Sequence, residues 1–323
     1  MTAGNGSGPG RRPRSRPGIR AQVDQRRNEL QGQVRAAVEH FEETQERINA
    51  RTGRNLLFAV GIGLLLGAVL ILSLVLVKEL FMLLAGTMIA FAVVELAGAL
   101  RLSGRDVPRV ASVLAAAAML PASYFFPGLG QWVGIIGAVL FVSAWRLVEA
   151  VAGRGSRSAD DLRRDLGAGA FIQLYVTLLG SYAVVLTAED GGQWWTLGFI
   201  IVVVATDVGA YASGVAFGKH PMAPRISPKK TWEGFAGSVL AALIAGVLVA
   251  VLMLDQHWTF GLLFGAVLAV TATAGDLAES MIKRDLEIKD ISSWLPGHGG
   301  FLDRLDSILP SAAAAYALFL LVG

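Results

Sequence analysis

The sequence predicts an all-α polytopic membrane protein with about nine transmembrane helices and a polar site that faces the cytoplasm. Two observations predict this class. Hydrophobic residues make up 54% of the 323 residues and charged residues only 16%, whereas soluble domains carry roughly 25% charged residues. Long apolar runs, each near the roughly 20 residues that a helix needs to cross a bilayer, alternate with short polar loops. No run has the alternating pattern of a transmembrane β-strand.

Residues 1–54 are predicted to form a cytoplasmic tail. Residues 1–20 are rich in Gly, Pro, Ser and Arg, and we expect them to be disordered. Between Val23 and Ile48, apolar residues recur at helical spacing and charges fill the other face, which favours an amphipathic helix. A solvated or membrane-surface helix is the preferred interpretation, and a self-associating coiled coil is the alternative. The transmembrane domain is expected over residues 55–323.

Nine apolar runs are predicted to span the membrane, because each has close to the required length. The predicted spans are 56–77, 80–100, 107–126, 133–151, 169–187, 195–217, 234–254, 259–280 and 301–322.

The charges of the loops predict the orientation. Basic residues follow the second, fourth, sixth and eighth spans, whereas the loops after odd spans contain only Lys78 and are otherwise acidic or aromatic. Because Lys and Arg are enriched on the cytoplasmic side, we expect the N-terminus and the even loops in the cytoplasm of a cell (inner or plasma) membrane and the C-terminus outside. The basic residues of the even loops are Arg101, Arg105, Arg109, Arg154, Arg157, Arg163, Arg164, Lys219, Arg225, Lys229, Lys230, Lys283, Arg284 and Lys289. Trp132, Trp194, Trp195 and Trp258 are predicted interface anchors of the odd loops.

The absence of cysteine excludes several classes of site. With no cysteine in the chain, disulfides, thiolate metal sites and a cysteine nucleophile are all excluded. The net charge is +3, and 11 of the 28 Lys and Arg residues precede residue 55. This distribution reports on topology and gives no indication of a nucleic-acid partner.

Carboxylates in or against the apolar spans are the candidate functional residues. An unpaired carboxylate in a membrane span costs several kcal/mol, so its presence there indicates a function by default. The alternative is a structural ion pair with a neighbouring Arg or Lys. The main candidates are Asp207, Asp276, Asp303 and Asp306, and Glu95 and Glu279 are further ones. Oxygen ligands without His or Cys favour a hard cation such as Mg²⁺, which accompanies nucleoside triphosphates.

Helical spacing places several of these groups on common faces. Asp276, Glu279 or Ser280, and Lys283 lie along one face of the eighth predicted helix. Asp303 and Asp306 share a face at the start of the ninth. The intervening loop is expected to let these two helix ends meet, which would bring acidic groups from separate helices together.

Basic residues interleave with these carboxylates. Their alternative role is topological, since Lys and Arg belong in cytoplasmic loops, but in this pattern they also suit phosphate groups. They are Lys283, Arg284, Lys289 and Arg304. Gly299 and Gly300 directly precede the ninth helix, where a backbone without Cβ can approach an anion.

A second polar segment precedes the seventh predicted helix. It comprises Lys219 and the run Ser227-Pro-Lys229-Lys230-Thr231, with Asp207 upstream in the sixth helix. A capped helix start, with Thr231 as N-cap and Glu233 in the first turn, is the structural interpretation. Both interpretations are compatible.

The two polar segments together resemble the phosphatidate cytidylyltransferases, membrane enzymes that make CDP-diacylglycerol from CTP and phosphatidic acid. The first pattern is Asp207, Ala210, Tyr211, Gly214, Phe217, Gly218 and Lys219, followed by Ser227 to Thr231. The second is the signature from Ser280 to Ser307, with Lys283-Arg284, Lys289-Asp290, His298-Gly299-Gly300, Asp303-Arg304 and Asp306. The resemblance is close over about residues 195–307 and general before them.

The resemblance implies the reaction and roles for the matching residues. It implies CTP, phosphatidic acid and the lipid bilayer as partners, without nucleic acid, and it leaves a homodimer open. Mg²⁺ would be held by Asp276 and Asp303, and a second cation such as K⁺ is left open. The implied catalytic residues are Asp276, Lys283, Arg284, Lys289, Asp290, Asp303, Arg304 and Asp306. The implied substrate-binding residues are Asp207, Lys219, Ser227, Lys229, Lys230, Thr231, Ser280, His298, Gly299 and Gly300.

Three other functions are alternatives to cytidylyl transfer. A CTP-dependent polyprenol kinase would transfer the γ-phosphate and release CDP rather than pyrophosphate. An ion-coupled transporter usually has midplane charges and repeated halves, whereas this chain has no internal repeat and its charges crowd one membrane face. A CDP-alcohol phosphotransferase would need a denser Asp-rich motif.

Overall fold

The computed structural model describes residues 56–153, 158–288, 291–292 and 299–322, without the side chains of 56–60, 62 and 66. The predicted disordered tail and amphipathic helix therefore lie outside the described residues. Residues Gly61–Gly323 form one compact unit. The helices and strands are α1 (Leu56–Leu76), α2 (Lys78–Leu102), α3 (Arg109–Phe125), α4 (Leu129–Val151), α5 (Ala159–Ile172), a π-helical turn (Gln173–Leu178), α6 (Leu179–Ala188), α7 (Gly192–Phe217), β1 (Pro221–Ala223), β2 (Ser227–Thr231), α8 (Trp232–Leu252), α9 (Trp258–Asp285), α10 (Leu302–Leu305) and α11 (Ile308–Val322).

The described residues confirm an all-α membrane protein with one short hairpin. Helices occupy each of the nine predicted spans, and seven are long and apolar enough to cross a membrane. These seven are α2, α4, α5 with α6, α7, α8, α9, and α10 with α11. The apolar stretches of α1 and α3 are shorter, and the count of nine crossings stays a prediction.

The helices of the fifth and eighth predicted spans extend furthest beyond their predicted bounds, because charged residues continue them. The fifth predicted span, 169–187, is part of a helix that begins at Ala159. Ser158 caps this helix by accepting a hydrogen bond from the Asp161 amide at 3.1 Å. The predicted span does not include the first turns of this helix because those turns are charged and only apolar runs were taken as spans. Likewise α9 continues past residue 280 to Asp285.

Three of the basic segments contact one another at one end of the bundle. Arg105, after α2, lies 3.5 Å from Asp285 at the end of α9. Arg284 donates at 3.2 Å to the carbonyl of Ile226 in the hairpin. At the other end, Lys78 donates to the Glu189 carbonyl at 2.8 Å. The helices therefore alternate in direction as predicted, and the cellular side of each end stays a prediction.

Two apolar cores hold the helices together. One contains Phe199 of α7, Phe264 of α9 and Ala315 of α11, and the other contains Leu96 of α2 and Leu302 of α10. Trp195 belongs to the first core and is packed against Phe260, Phe264 and Phe319. The prediction of Trp195 as an interface anchor was therefore wrong, because its ring fills the space between three helices. Trp132, Trp194 and Trp258 are exposed.

Close helix contacts depend on small residues. A Cβ added to Gly246 of α8 would lie 2.8 Å from the Cα of Gly265 in α9, and one on Gly261 would lie 2.6 Å from the Cα of Val247. Real side chains do not fit at these distances. Because apolar burial gives little gain between helices in lipid, such close van der Waals packing is the main attraction between α8 and α9.

A buried ion pair joins α4 to α5. Arg146 and Asp165 have side chains that are only 1% and 2% exposed, and their closest nitrogen and oxygen atoms are 2.9 Å apart. Asp165 also accepts a hydrogen bond from the amide of Asp106 at 2.7 Å. The pair therefore fixes two helices and the loop after α2.

Replacing Asp165 with Asn should destabilise the protein strongly. The variant removes the closest charge partner of the buried Arg146 guanidinium and leaves it only the carboxylates of Asp106 and Glu149, each at 3.7 Å, among the ion pairs of the described residues. Breaking a buried pair costs about 3–5 kcal/mol. Asp160→Asn is the matched control, because Asp160 and Arg163 form an exposed pair with side chains 72% and 78% exposed, worth at most about 1 kcal/mol. Thermal unfolding in detergent measures both. Equal stability of the two variants would contradict this assignment.

Candidate active site

A charged cavity lies at the end of the bundle where the basic loops meet. Its volume is about 350 Å³, and α7, α8, α9, β2 and the α10–α11 segment contribute to its lining. Seven Asp, Lys and Arg residues line it: Asp207, Lys229, Lys230, Asp276, Asp303, Arg304 and Asp306. Carboxylates from separate helices therefore line one cavity, as predicted.

Asp276 enters the cavity from α9. It forms an ion pair with Lys230 of β2, and the Ser280 hydroxyl lies 3.5 Å from its Oδ1 atom. Next to it, a Cβ on Gly275 would lie 2.7 Å from the Pro310 ring and closer still to the carbonyl of Asp306. Glycine at 275 therefore lets α9 approach the α10–α11 segment closely enough for Asp276 and Asp306 to share one cavity.

Asp303 is held from two sides. Lys283 of α9 lies 3.1 Å from its Oδ1 atom and 2.5 Å from Oε2 of Glu279. The amide of Gly300 donates to Oδ2 of Asp303 at 2.8 Å. Gly299 adopts φ +80°, which favours glycine, and a Cβ there would lie 2.6 Å from the same oxygen. Lys283 is thus the bridge between α9 and the segment that carries Asp303.

The hairpin brings Lys229 and Lys230 to the cavity. β1 and β2 pair antiparallel, with Pro221 opposite Thr231. The Thr231 hydroxyl accepts from the Gly234 amide at 3.1 Å, which confirms its predicted role as N-cap. Glu233, in the first turn of α8, accepts from the amides of Lys219 and His220 at 3.1 and 3.2 Å. The predicted helix start is therefore compatible with Lys229 and Lys230 lining the cavity, and their binding to phosphates stays a prediction.

The predicted site residues fall into four groups. Asp207, Lys229, Lys230, Thr231, Asp276, Asp303, Arg304 and Asp306 line the cavity. Ser280, Lys283, Gly299 and Gly300 support Asp276 or Asp303. Lys219, Ser227 and Arg284 do not line it: Arg284 bonds the Ile226 carbonyl, and Lys219 contributes its amide to Glu233. Lys289, Asp290 and His298 lie outside the described residues.

Tyr175 and Glu279 do not line the cavity but hold buried polar atoms; the sequence did not single out Tyr175 and gave Glu279 as a further candidate. Tyr175 lies in the π-helical turn Gln173–Leu178, a feature often found at functional sites. Within the described part of the chain, its hydroxyl and the Oε1 atom of Glu279 are buried without hydrogen-bond partners. No pattern in the sequence marks a π-helical turn, so Tyr175 had no detectable signal.

The donor atoms of the cavity suit a hard cation. They are carboxylate and hydroxyl oxygens, which Mg²⁺ prefers over nitrogen or sulfur. Among the described residues, no three His, Cys, Asp or Glu side chains are grouped as a ligand set. Mg²⁺ usually takes one or two carboxylates and completes its shell with water and substrate phosphate, so Asp276 and Asp303 fit that chemistry.

Replacing Lys283 with Met should destabilise the protein far more than the same change at Arg284. Lys283→Met leaves Glu279, 1% exposed, and Asp303 without their shared cation, and such a loss costs about 3–5 kcal/mol. Arg284→Met is the neighbouring control, because its described partner is one exposed carbonyl. Thermal unfolding without substrate distinguishes them, and a Lys283→Met variant as stable as Arg284→Met would disprove the bridge.

Comparisons with known proteins agree on one family. The family model described as "Cytidylyltransferase family" matches residues 58–322. A phosphatidate cytidylyltransferase of Mycobacterium bovis is 38% identical over 278 residues, covering 84% of this chain and 91% of the relative. One of Mycobacterium leprae is 38% identical over 283 residues, covering 84% and 90%. One of Brucella suis is 36% identical over 180 residues, covering 55% and 60%. This chain belongs to the cytidylyltransferase family.

Proposed function

We propose that this chain transfers the cytidylyl group of CTP to phosphatidic acid, giving CDP-diacylglycerol and pyrophosphate in phospholipid synthesis. The relatives that cover most of the chain bear the name of this activity. The observation that carries the proposal is the single cavity in which Lys229, Lys230 and Arg304 lie beside carboxylates from three separate helical segments. Such a cavity suits an anionic nucleotide and a hard cation.

The reaction asks little covalent chemistry of the protein. A phosphate oxygen of phosphatidic acid attacks the α-phosphorus of CTP, and the bond from that phosphorus to the bridging oxygen of the β-phosphate breaks. Pyrophosphate leaves with that electron pair. Because the attacking phosphate is already anionic, no general base is required. The cavity therefore acts by positioning two anions and by neutralising their charge.

Lys230 is the main candidate for contact with the triphosphate. It lines the cavity together with Lys229 and pairs with Asp276. Its ammonium group can bind either the Asp276 carboxylate or a phosphate oxygen. Arg304 offers a planar guanidinium, which suits a phosphate better than an ammonium group does. These two cations counter the repulsion between nucleotide and carboxylates.

Mg²⁺ is the cofactor that we assign to this site. Asp276 and Asp303 would hold it, each at the cavity end of a different helical segment. When bound, the cation supplies neutralisation and orientation of the phosphates. Asp207 and Asp306 line the same cavity and add to the negative potential that attracts a cation.

The central test is an assay of purified protein in detergent with phosphatidic acid, Mg²⁺ and labelled CTP. Label at the α-phosphate should enter the lipid, and label at the γ-phosphate should appear in pyrophosphate. Asp276→Asn and Asp303→Asn should each lower turnover at least about 100-fold, because preorganised charge at the reacting phosphates is lost. Asp306→Asn should also be harmful.

The control is Asp285→Asn, which changes an exposed carboxylate at the end of the same helix as Asp276. It should keep turnover near that of the unmodified chain. Lipid labelled from the γ-phosphate would move the chain to the CTP-dependent lipid kinases. Substantial Mg²⁺-dependent turnover in both Asp276→Asn and Asp303→Asn would sink the metal assignment, even with the correct reaction.

The cavity should open to the cytoplasm of a cell membrane, where CTP is available. The loops at its end carry the basic residues that favour the cytoplasmic side. Exposed apolar side chains along the helices, such as Leu140, Leu240 and Val270, would face lipid.

Single-cysteine labelling in intact cells tests this orientation, since the chain contains no cysteine. Arg225→Cys, in the exposed hairpin turn, should react with an impermeant maleimide only after the cells are opened. Asp190→Cys, exposed at the opposite end, should react in intact cells. The reverse pattern would invert the assigned orientation.

A further inference from the structure

Glu95 lies outside the cavity yet binds the segment that forms part of it. It belongs to α2, and none of the described residues of α2 lines the cavity. Its side chain is buried, and its Oε1 atom accepts hydrogen bonds from the Ser292 hydroxyl and from the Phe301 amide at 3.0 Å. Its Oε2 atom accepts from the Leu302 amide at 2.9 Å.

All three donors come from the chain between α9 and α11, about 200 positions further along. Phe301 and Leu302 stand at the start of α10, where backbone amides have no partner within the helix. A carboxylate is favourable at that place because it satisfies these amides and complements the helix dipole. Within the described part of the chain, these neutral donors satisfy Glu95, and it forms no ion pair.

The carboxylate also lies directly against Gly300. A Cβ at that position would be 2.9 Å from Oε2 of Glu95 and 3.1 Å from Oε1. One helical turn before Glu95, the ring of Phe91 stacks on that of Phe301 with 4.5 Å between centroids. On its other side, the Gly300 amide donates to Asp303 at 2.8 Å. Residues 300–302 are thus held between α2 and the cavity carboxylate Asp303.

We propose that Glu95 is a positioning residue for cytidylyl transfer: it fixes residues 300–302 so that Asp303 and Arg304 face the cavity. The proposal rests on the proposed function. It also explains why residue 95 has a carboxylate side chain. The amides of Phe301 and Leu302 donate to different oxygens of Glu95, so a neutral amide in the same place would set an N–H group against one of these two donors.

The test compares Glu95→Gln with the unmodified chain in two measurements. Hydrogen–deuterium exchange of peptides covering residues 299–305 should become faster, while exchange of α4 peptides stays unchanged. In the labelled-CTP assay, turnover per folded molecule should fall about 10- to 100-fold, because small misplacement of reacting groups is costly. The KM for CTP should change less than about threefold, because the residues that would bind the phosphates remain present.

Two further variants separate positioning from general stability. Gln131→Leu removes a buried hydrogen bond of 2.9 Å to Ser181, away from the cavity, and should keep turnover per folded molecule. Glu95→Asp keeps the charge but is one methylene shorter, so it cannot reach both amides. It should show a smaller increase in exchange at residues 299–305 and a smaller loss of turnover than Glu95→Gln. If Glu95→Gln does not fold, Glu95→Asp takes its place in the test.

The proposal is overturned if Glu95→Gln, or Glu95→Asp in its place, shows unchanged exchange at residues 299–305. Turnover loss that only follows the folded fraction, as in Gln131→Leu, would overturn it equally. Failure of the proposed function looks different, because the unmodified chain itself would then form no CDP-diacylglycerol. The exchange measurement still tests the contact made by Glu95 in that case.

Discussion

Lys283 is the group on which the arrangement of the cavity depends most. It places one ammonium between Glu279 of its own helix and Asp303 of the next, with Glu279 only 1% exposed. Carboxylates at this depth are costly unless they are compensated. The same constraint applies at Asp276, which Lys230 of the hairpin compensates. Opposite charges therefore hold α9, the hairpin and the α10–α11 segment around one space.

This arrangement makes the structural and chemical roles of the cavity inseparable. Lys230, which pairs with the Asp276 carboxylate, is also a group suited to phosphates, and the carboxylates are the groups suited to a cation. Binding of a nucleotide with its cation would exchange partners among groups already present rather than create new buried charge. Positioning by contacts beyond the cavity, such as Glu95 at the start of α10, then becomes important.

Local patterns in the sequence predicted much of this fold and some of the site. Run length located the helices, and the cap at Thr231 followed from side-chain chemistry. Asp207, Asp276, Asp303 and Asp306 were found because carboxylates in apolar runs are unusual. The contact of Glu95 with Leu302 could not be predicted from local patterns, since the residues are 207 positions apart in the sequence. Trp195 was misplaced for the same reason: only packing shows whether a tryptophan near a helix start faces lipid or the core.

The most direct test of the account is a structure of the chain with a non-hydrolysable CTP analogue and Mn²⁺, whose anomalous scattering locates the cation. The account predicts the triphosphate in the cavity beside Lys229, Lys230 and Arg304, with Mn²⁺ against Asp276 and Asp303. It also predicts that Glu95 keeps its bonds to Phe301 and Leu302. A nucleotide bound elsewhere, with Lys230 still on Asp276 and the cavity without cation, would contradict it.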